Sequence, residues 1–159
     1  MPLANLPERA ASGAPAGVGT TKSYWCTTTV TAGDAVILDK AVATYQTKEY
    51  FGVSTSPTTA DNALCIGVAL ETVVGTTTAP KQVRVCIGGL CIRAKLVVGT
   101  AAGVGLVTTA AVAGQLKASG AGDYGGIKAF TVTAEGATFI DGTALEAGYG
   151  SVNIIPQIA

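Results

Sequence analysis

The side chains that could carry chemistry in this chain are few: acids at the ends of apolar runs (Asp34, Asp39, Glu71 and Glu146) and four cysteines (Cys26, Cys65, Cys86 and Cys91). There is no histidine. That removes His-dependent acid–base catalysis, Ser-His-Asp and Cys-His nucleophilic sites, and every metal set that needs an imidazole. Two facing carboxylates could share acid–base work, in the pairs Asp34/Asp39 or Glu71/Glu146, but acids at strand ends are more often solvated turn residues. The cysteines have no CxxC spacing, so no zinc site is indicated. Gly99–Gly105 and Gly13–Gly19 are glycine-rich, yet neither ends in Lys-Ser/Thr nor opens a helix pattern, which argues against a phosphate cradle. The residue types therefore predict no catalytic set, no metal and no cofactor, and a protein that is not an enzyme.

The elements that would position these side chains are read from composition first. At 159 residues the chain is of single-domain size. Hydrophobic residues make up 48% and charged residues 13%, about half the charged share of an average soluble domain, so part of the apolar surface is expected to meet another protein. Ten basic residues balance ten acidic ones. Neutrality removes the electrostatic footprint of a nucleic-acid or anionic-membrane binder and favours association. The start lacks a basic n-region and an apolar h-region, and no apolar run is long enough to span a bilayer. Without an export signal the four thiols are expected to be reduced and buried as small apolar groups.

Along the chain, residues 1–22 are Ala, Gly, Pro, Ser and Thr with Leu3, Leu6 and Val18 as scattered apolar points. Such a segment cannot offset its own ordering entropy. It reads as an extended N-terminal arm ordered by a partner, or as a disordered tail, preceding one β-domain over residues 23–159. Ser23–Val30 is aromatic and β-branched and predicts the first strand, with Trp25 as a core or arm anchor. Ala32-Gly33-Asp34 turns into a strand at Ala35–Leu38. Residues 40–60 predict a short strand around Tyr50–Val53 followed by a Ser/Thr/Pro loop. Leu64–Leu70 reads as a strand in which Gly67 marks a bulge or a close backbone approach.

Gln82–Ile87 alternates Val83, Val85 and Ile87 against Arg84 and Cys86, and Leu90–Leu96 continues the alternation. Between them Gly88-Gly89 predicts a two-residue hairpin. In that register Cys86 faces Cys91 and Arg84 faces Arg93. Two opposed arginines repel, so the register must slip or carboxylates must lie nearby. Ala102-Gly103 then feeds a strand at Val104–Val107, residues 114–126 read as flexible loop, and further strands are predicted at Ile127–Val132 and Ser151–Ile158. The signature Gly67-Val68-Ala69-Leu70-Glu71 returns as Gly142-Thr143-Ala144-Leu145-Glu146. It suggests two related strand-turn units, about 30–90 and 97–159, with Gly67, Glu71, Gly142 and Glu146 as structural joints and each glutamate accepting N–H groups of the glycine turn after it.

The order Thr31-Ala32-Gly33-Asp34-Ala35-Val36-Ile37-Leu38-Asp39, then Leu64-Cys65-Ile66-Gly67-Val68-Ala69-Leu70-Glu71, then Val83-Arg84-Val85-Cys86-Ile87-Gly88-Gly89-Leu90 resembles the capsid decoration (cement, or head-stabilisation) proteins of tailed bacteriophages. The match covers roughly residues 30–110 and 138–155 and departs from the pattern at residues 40–60 and in the Thr-rich loop after Glu71. The resemblance implies an all-β fold, a small β-barrel or β-tulip-like domain, that is made in the host cytoplasm and ends on the outer surface of the virion capsid. Its implied partners are the major capsid protein and itself, as a homotrimer; nucleic acid and membrane are not implied. The arm would add strand-wise to the shell, with Leu3, Leu6, Val18, Tyr24 and Trp25 as the capsid-binding residues. A receptor- or glycan-binding module of a tail or surface fibre is the competing reading; its nearest aromatic cluster would be Tyr45, Tyr50 and Phe51 in a chain only 6% aromatic.

Overall fold

β-Branched segments separated by glycine turns become short strands in the computed structural model, which describes residues 19–39, 52–123, 126–138 and 144–157. In chain order these are β1 (Thr20–Cys26), β2 (Thr29–Val30), β3 (Ala35–Leu38), β4 (Val53–Thr55), β5 (Cys65–Ala69), β6 (Val73–Val74), β7 (Lys81–Lys95), β8 (Gly105–Thr108), β9 (Leu116–Ala118), β10 (Ala129–Thr131) and β11 (Tyr149–Ile154). Among the described residues there is no helix, and the fold is all-β and barrel-like, as expected. Nine of these strands form one curled sheet in the order β4-β3-β5-β7-β11-β10-β8-β9, with β1 also on β7; β2 and β6 form a separate pair.

The 15-residue β7 is the spine of the sheet, and it overturns the predicted hairpin. It runs unbroken through Gly88-Gly89, because each half has other partners. β1 pairs the first half, from Cys26↔Lys81 to Thr20↔Gly88, and β11 pairs the second, from Tyr149↔Lys95 to Ile154↔Gly89. Gly89, at φ 77°, supplies the left-handed residue at the changeover. Once β1 and β11 satisfy the backbone, the two halves of β7 have no need to pair with one another. Arg84 and Arg93 are therefore not opposed.

Other boundaries shift as well. β1 begins at Thr20, inside the expected arm, and Thr27-Thr28 separates it from β2. The edge strand on β3 is Val53–Thr55, which shares Val53 with the strand expected at Tyr50–Val53 and takes Ser54 and Thr55 from the expected loop. Leu116–Ala118, within the stretch read as flexible loop, is held as β9 by β8. In each case the register with a neighbour outweighs weak local propensity.

Alternation sorts the side chains to two cores. Tyr24, Cys26, Val30, Val36, Val53, Ile66, Ala69, Val83 and Val85 form one; Ala35, Cys65, Val68, Cys86, Cys91, Leu96, Leu106, Leu116, Val152 and Ile154 are among those forming the other. Gly67 does what its position suggested. Ile66 is skipped in the β3–β5 register, a bulge, and a Cβ on Gly67 would lie 2.0 Å from the Cys86 carbonyl oxygen. Two parallel bridges close each half of the curl separately: Trp25↔Gly52 ties β1 to the residue before β4, and Leu96↔Leu116 ties the residue after β7 to β9.

A backbone hydrogen-bond pattern recurs, but not at the residues of the repeated signature. Gly33 N–H donates to Ala69 O and Ala69 N–H to Asp34 O; in the second half Gly103 N–H donates to Thr131 O and Thr131 N–H to Val104 O. Leu70 N–H then bonds Arg84 O, as Val132 N–H bonds Ser151 O. β5 thus corresponds to β10, and Glu71 corresponds to Thr133. Glu146 has no such equivalence to Glu71, and Gly142 lies outside the described residues.

Candidate functional site

The acids are engaged one by one and do not converge. Asp34 is buried at the head of β3, where its carboxylate accepts Lys95 Nζ at 2.8 Å, Thr31 N at 3.0 Å and Thr55 Oγ1 at 3.1 Å. Glu71 accepts the backbone N–H of Arg84 at 2.9 Å and pairs with its guanidinium at 3.5 Å. Glu146 pairs with Arg93 at 3.3 Å, and that guanidinium also lies over the Tyr149 ring, 4.1 Å from its centre. The expectation that Glu71 and Glu146 each accept N–H groups of the following glycine turn is corrected: each serves an arginine of β7, which also resolves the arginine problem posed by the predicted register. The turn-binding carboxylate is Glu135, whose oxygens accept Gly148 N–H and Gly99 N–H. Those two bonds hold its pKa below the ordinary glutamate value.

No group of three or more potential metal ligands occurs among the described residues. The four cysteines are free and buried; burial pushes Cys65 up to about 11 and raises Cys26. The depression bounded by Val97, Thr100, Val104 and Lys117 contains one charged side chain, and Lys117 is already paired with Asp123 at 3.1 Å. Among the described residues, none of these side chains places a nucleophile against a base.

What the sheet does build is an uncharged face. Paired residues on neighbouring antiparallel strands point the same way, and one row runs Gly105–Phe130–Asn153–Leu90 across β8, β10, β11 and β7. Phe130 is 42% exposed, and Val132, two residues on, 46%. Ile127, 38% exposed, is packed against the Gly105 backbone, so close that a Cβ there would meet its side chain at 2.8 Å. The adjacent row, Leu106–Ala129–Ile154, points inward and is buried. Lys128, between Ile127 and Ala129, is itself buried and bonds Gln157 Oε1 at 3.2 Å, which keeps its charge off the face.

Gly19 N–H donates to Leu90 O at 2.6 Å, and Gly19 packs backbone to backbone on Gly88-Gly89. Gly19, the first described residue, therefore sits at one end of this row. Of the residues expected to bind capsid, Leu3, Leu6 and Val18 lie outside the described residues, as do Tyr45, Tyr50 and Phe51. Tyr24 is a correction: it is wholly buried in the core beneath β1 and cannot touch a partner. Trp25, its neighbour on the opposite face of β1, is half-buried and bridges Gly52. The exposed row was missed in the sequence because Phe130 and Val132 look like any alternating strand until the facing residues on β8, β11 and β7 are known.

No family model matches the chain, and no curated protein matches it. Among solved structures, the head fiber gp8.5 N base of bacteriophage phi29 is similar over 86% of this chain and 95% of that one, with a TM-score of 0.54 and 14% sequence identity.

Proposed function

We propose that this chain is a non-enzymatic structural protein of a phage head, bound to the outer capsid surface, where it clamps neighbouring major capsid subunits as a homotrimer. The fold it shares with a head fiber base supports the head-associated part of this reading. The observation that carries the binding mode is the uncharged row Phe130–Asn153–Leu90, which ends at Gly19, the first described residue. Residues 1–18 and this uncharged face offer two weak contacts whose combination gains by effective concentration. The neutral charge and the ion-paired acids are consistent with an adhesive role in place of a chemical one.

The test is co-sedimentation with mature phage heads lacking the protein. Because β1 begins at Thr20, the informative truncation removes residues 1–18 only. That variant, and the full-length Phe130→Asp variant, are expected to stay folded by circular dichroism and to lose head binding at least tenfold. Wild-type occupancy by both would sink the reading. Specific retention on immobilised glycans, with no affinity for heads, would favour the receptor-binding alternative.

A further inference from the structure

Cys86 and Cys91 sit on either side of the Gly88-Gly89 changeover in β7, both fully buried and in the same core cluster. In an extended strand, positions five apart are separated by about 17 Å, well beyond the roughly 7 Å between Cα atoms that a disulfide tolerates. Here the strand turns. The Cys86 sulfur lies 3.6 Å from the Gly88 carbonyl oxygen and 3.8 Å from that of Leu90, and the Leu90 carbonyl is bonded to the nitrogen of Cys91. The sulfur of one cysteine thus reaches the backbone root of the other.

We propose that Cys86 and Cys91 are a redox pair, which a peroxide closes into a disulfide across the corner of β7. The four thiols are not equivalent in this respect. A hydrogen bond with Cys91 holds Cys86 below the ordinary thiol pKa, and the same contact together with burial raises Cys91. Cys26 and Cys65 are raised by burial, so Cys86 is the thiol poised to react first. Its thiolate attacks one peroxide oxygen, the O–O bond breaks, and hydroxide leaves; the sulfur is now a sulfenic acid. The Cys91 sulfur then attacks the Cys86 sulfur, the S–O bond breaks, and the thiol proton leaves with the hydroxyl as water. Two cysteines and one peroxide give one disulfide and two waters.

The corner is covered by the Gly19 backbone on Gly88-Gly89 and by the Pro156 ring against Gly88. Closing the bond would fix the corner against which Gly19 packs, so oxidation would stiffen the junction between residues 1–18 and the domain.

The experiment treats the reduced full-length protein with hydrogen peroxide and measures intact mass and a non-reducing peptide map. The expected result is a loss of about 2 Da, one Cys86–Cys91 link, and full reversal by dithiothreitol. In Cys91→Ser the sulfenic acid on Cys86 should persist and be captured by dimedone. Four unreacted thiols, a link involving Cys26 or Cys65, an intermolecular disulfide, or direct passage to sulfinic acid would each overturn the proposal.

Discussion

Replacing Asp34 tests how the first half of the sheet is tied to β7. Its carboxylate, 5% exposed, holds the turn at Thr31, the edge strand at Thr55 and the spine at Lys95, whose side chain is 26% exposed. Removing one partner of a buried pair costs about 3–5 kcal/mol, because the other charge stays behind without compensation; an exposed pair is worth about 0–1 kcal/mol. Asp34 lies near the buried limit and Lys95 part of the way out, so Asp34→Ala is expected to destabilise by about 3 kcal/mol. Asp34→Asn keeps the shape and an acceptor for Thr31 and Thr55, and should lose about half as much. The assay is equilibrium unfolding in urea, followed by fluorescence of Trp25, the single tryptophan. A loss below about 1 kcal/mol for Asp34→Ala, with Asp34→Asn no different, would show that the pair behaves as a solvated surface contact and would refute the argument.

Two further substitutions follow from the same geometry. Gly67→Ala places a Cβ 2.0 Å from the Cys86 carbonyl oxygen; backbone cannot yield as a flexible side chain can, so β5 must part from β7 at a cost of about 3 kcal/mol or more, and urea unfolding with unchanged midpoint would contradict the close approach. Glu135 has its folded pKa depressed by Gly148 and Gly99, so the stability it contributes is present above the unfolded value of about 4.5 and is lost as pH falls through the lower folded value. Asp123, depressed by Gly120 and Lys117, contributes in the same acid window. Glu135→Gln should therefore flatten, without abolishing, the fall of melting temperature below pH 4.5; an acid limb identical to wild type would remove Glu135 from that role.

How far the sequence carries can be judged at particular residues. Runs such as Ala35–Leu38 and Cys65–Ala69 announce themselves as strands, since β-branched and small apolar residues between glycine turns have few other stable uses. Leu116–Ala118 does not, because its strand character comes from pairing with β8 and not from its own side chains. The face around Phe130 is equally silent, as exposure depends on which strands lie alongside. Tyr24 and Trp25 illustrate the same limit: both are aromatic and adjacent, yet the direction of β1 buries one completely and leaves its neighbour half-covered.

The amino-acid sequence by itself determined the all-β class, the absence of histidine chemistry and the neutral charge. These depend on residue identity and local period, which no tertiary contact can change. Only the tertiary structure decided the course of β7. Gly88-Gly89 permits a hairpin or a corner, and it is the backbone pairing offered by β1 and β11 that makes it a corner. The same pairing sends Arg84 to Glu71 and Arg93 to Glu146, sets Ala69 in correspondence with Thr131 and not with the repeated letters at Ala144, and brings two cysteines five residues apart to the inside of one bend.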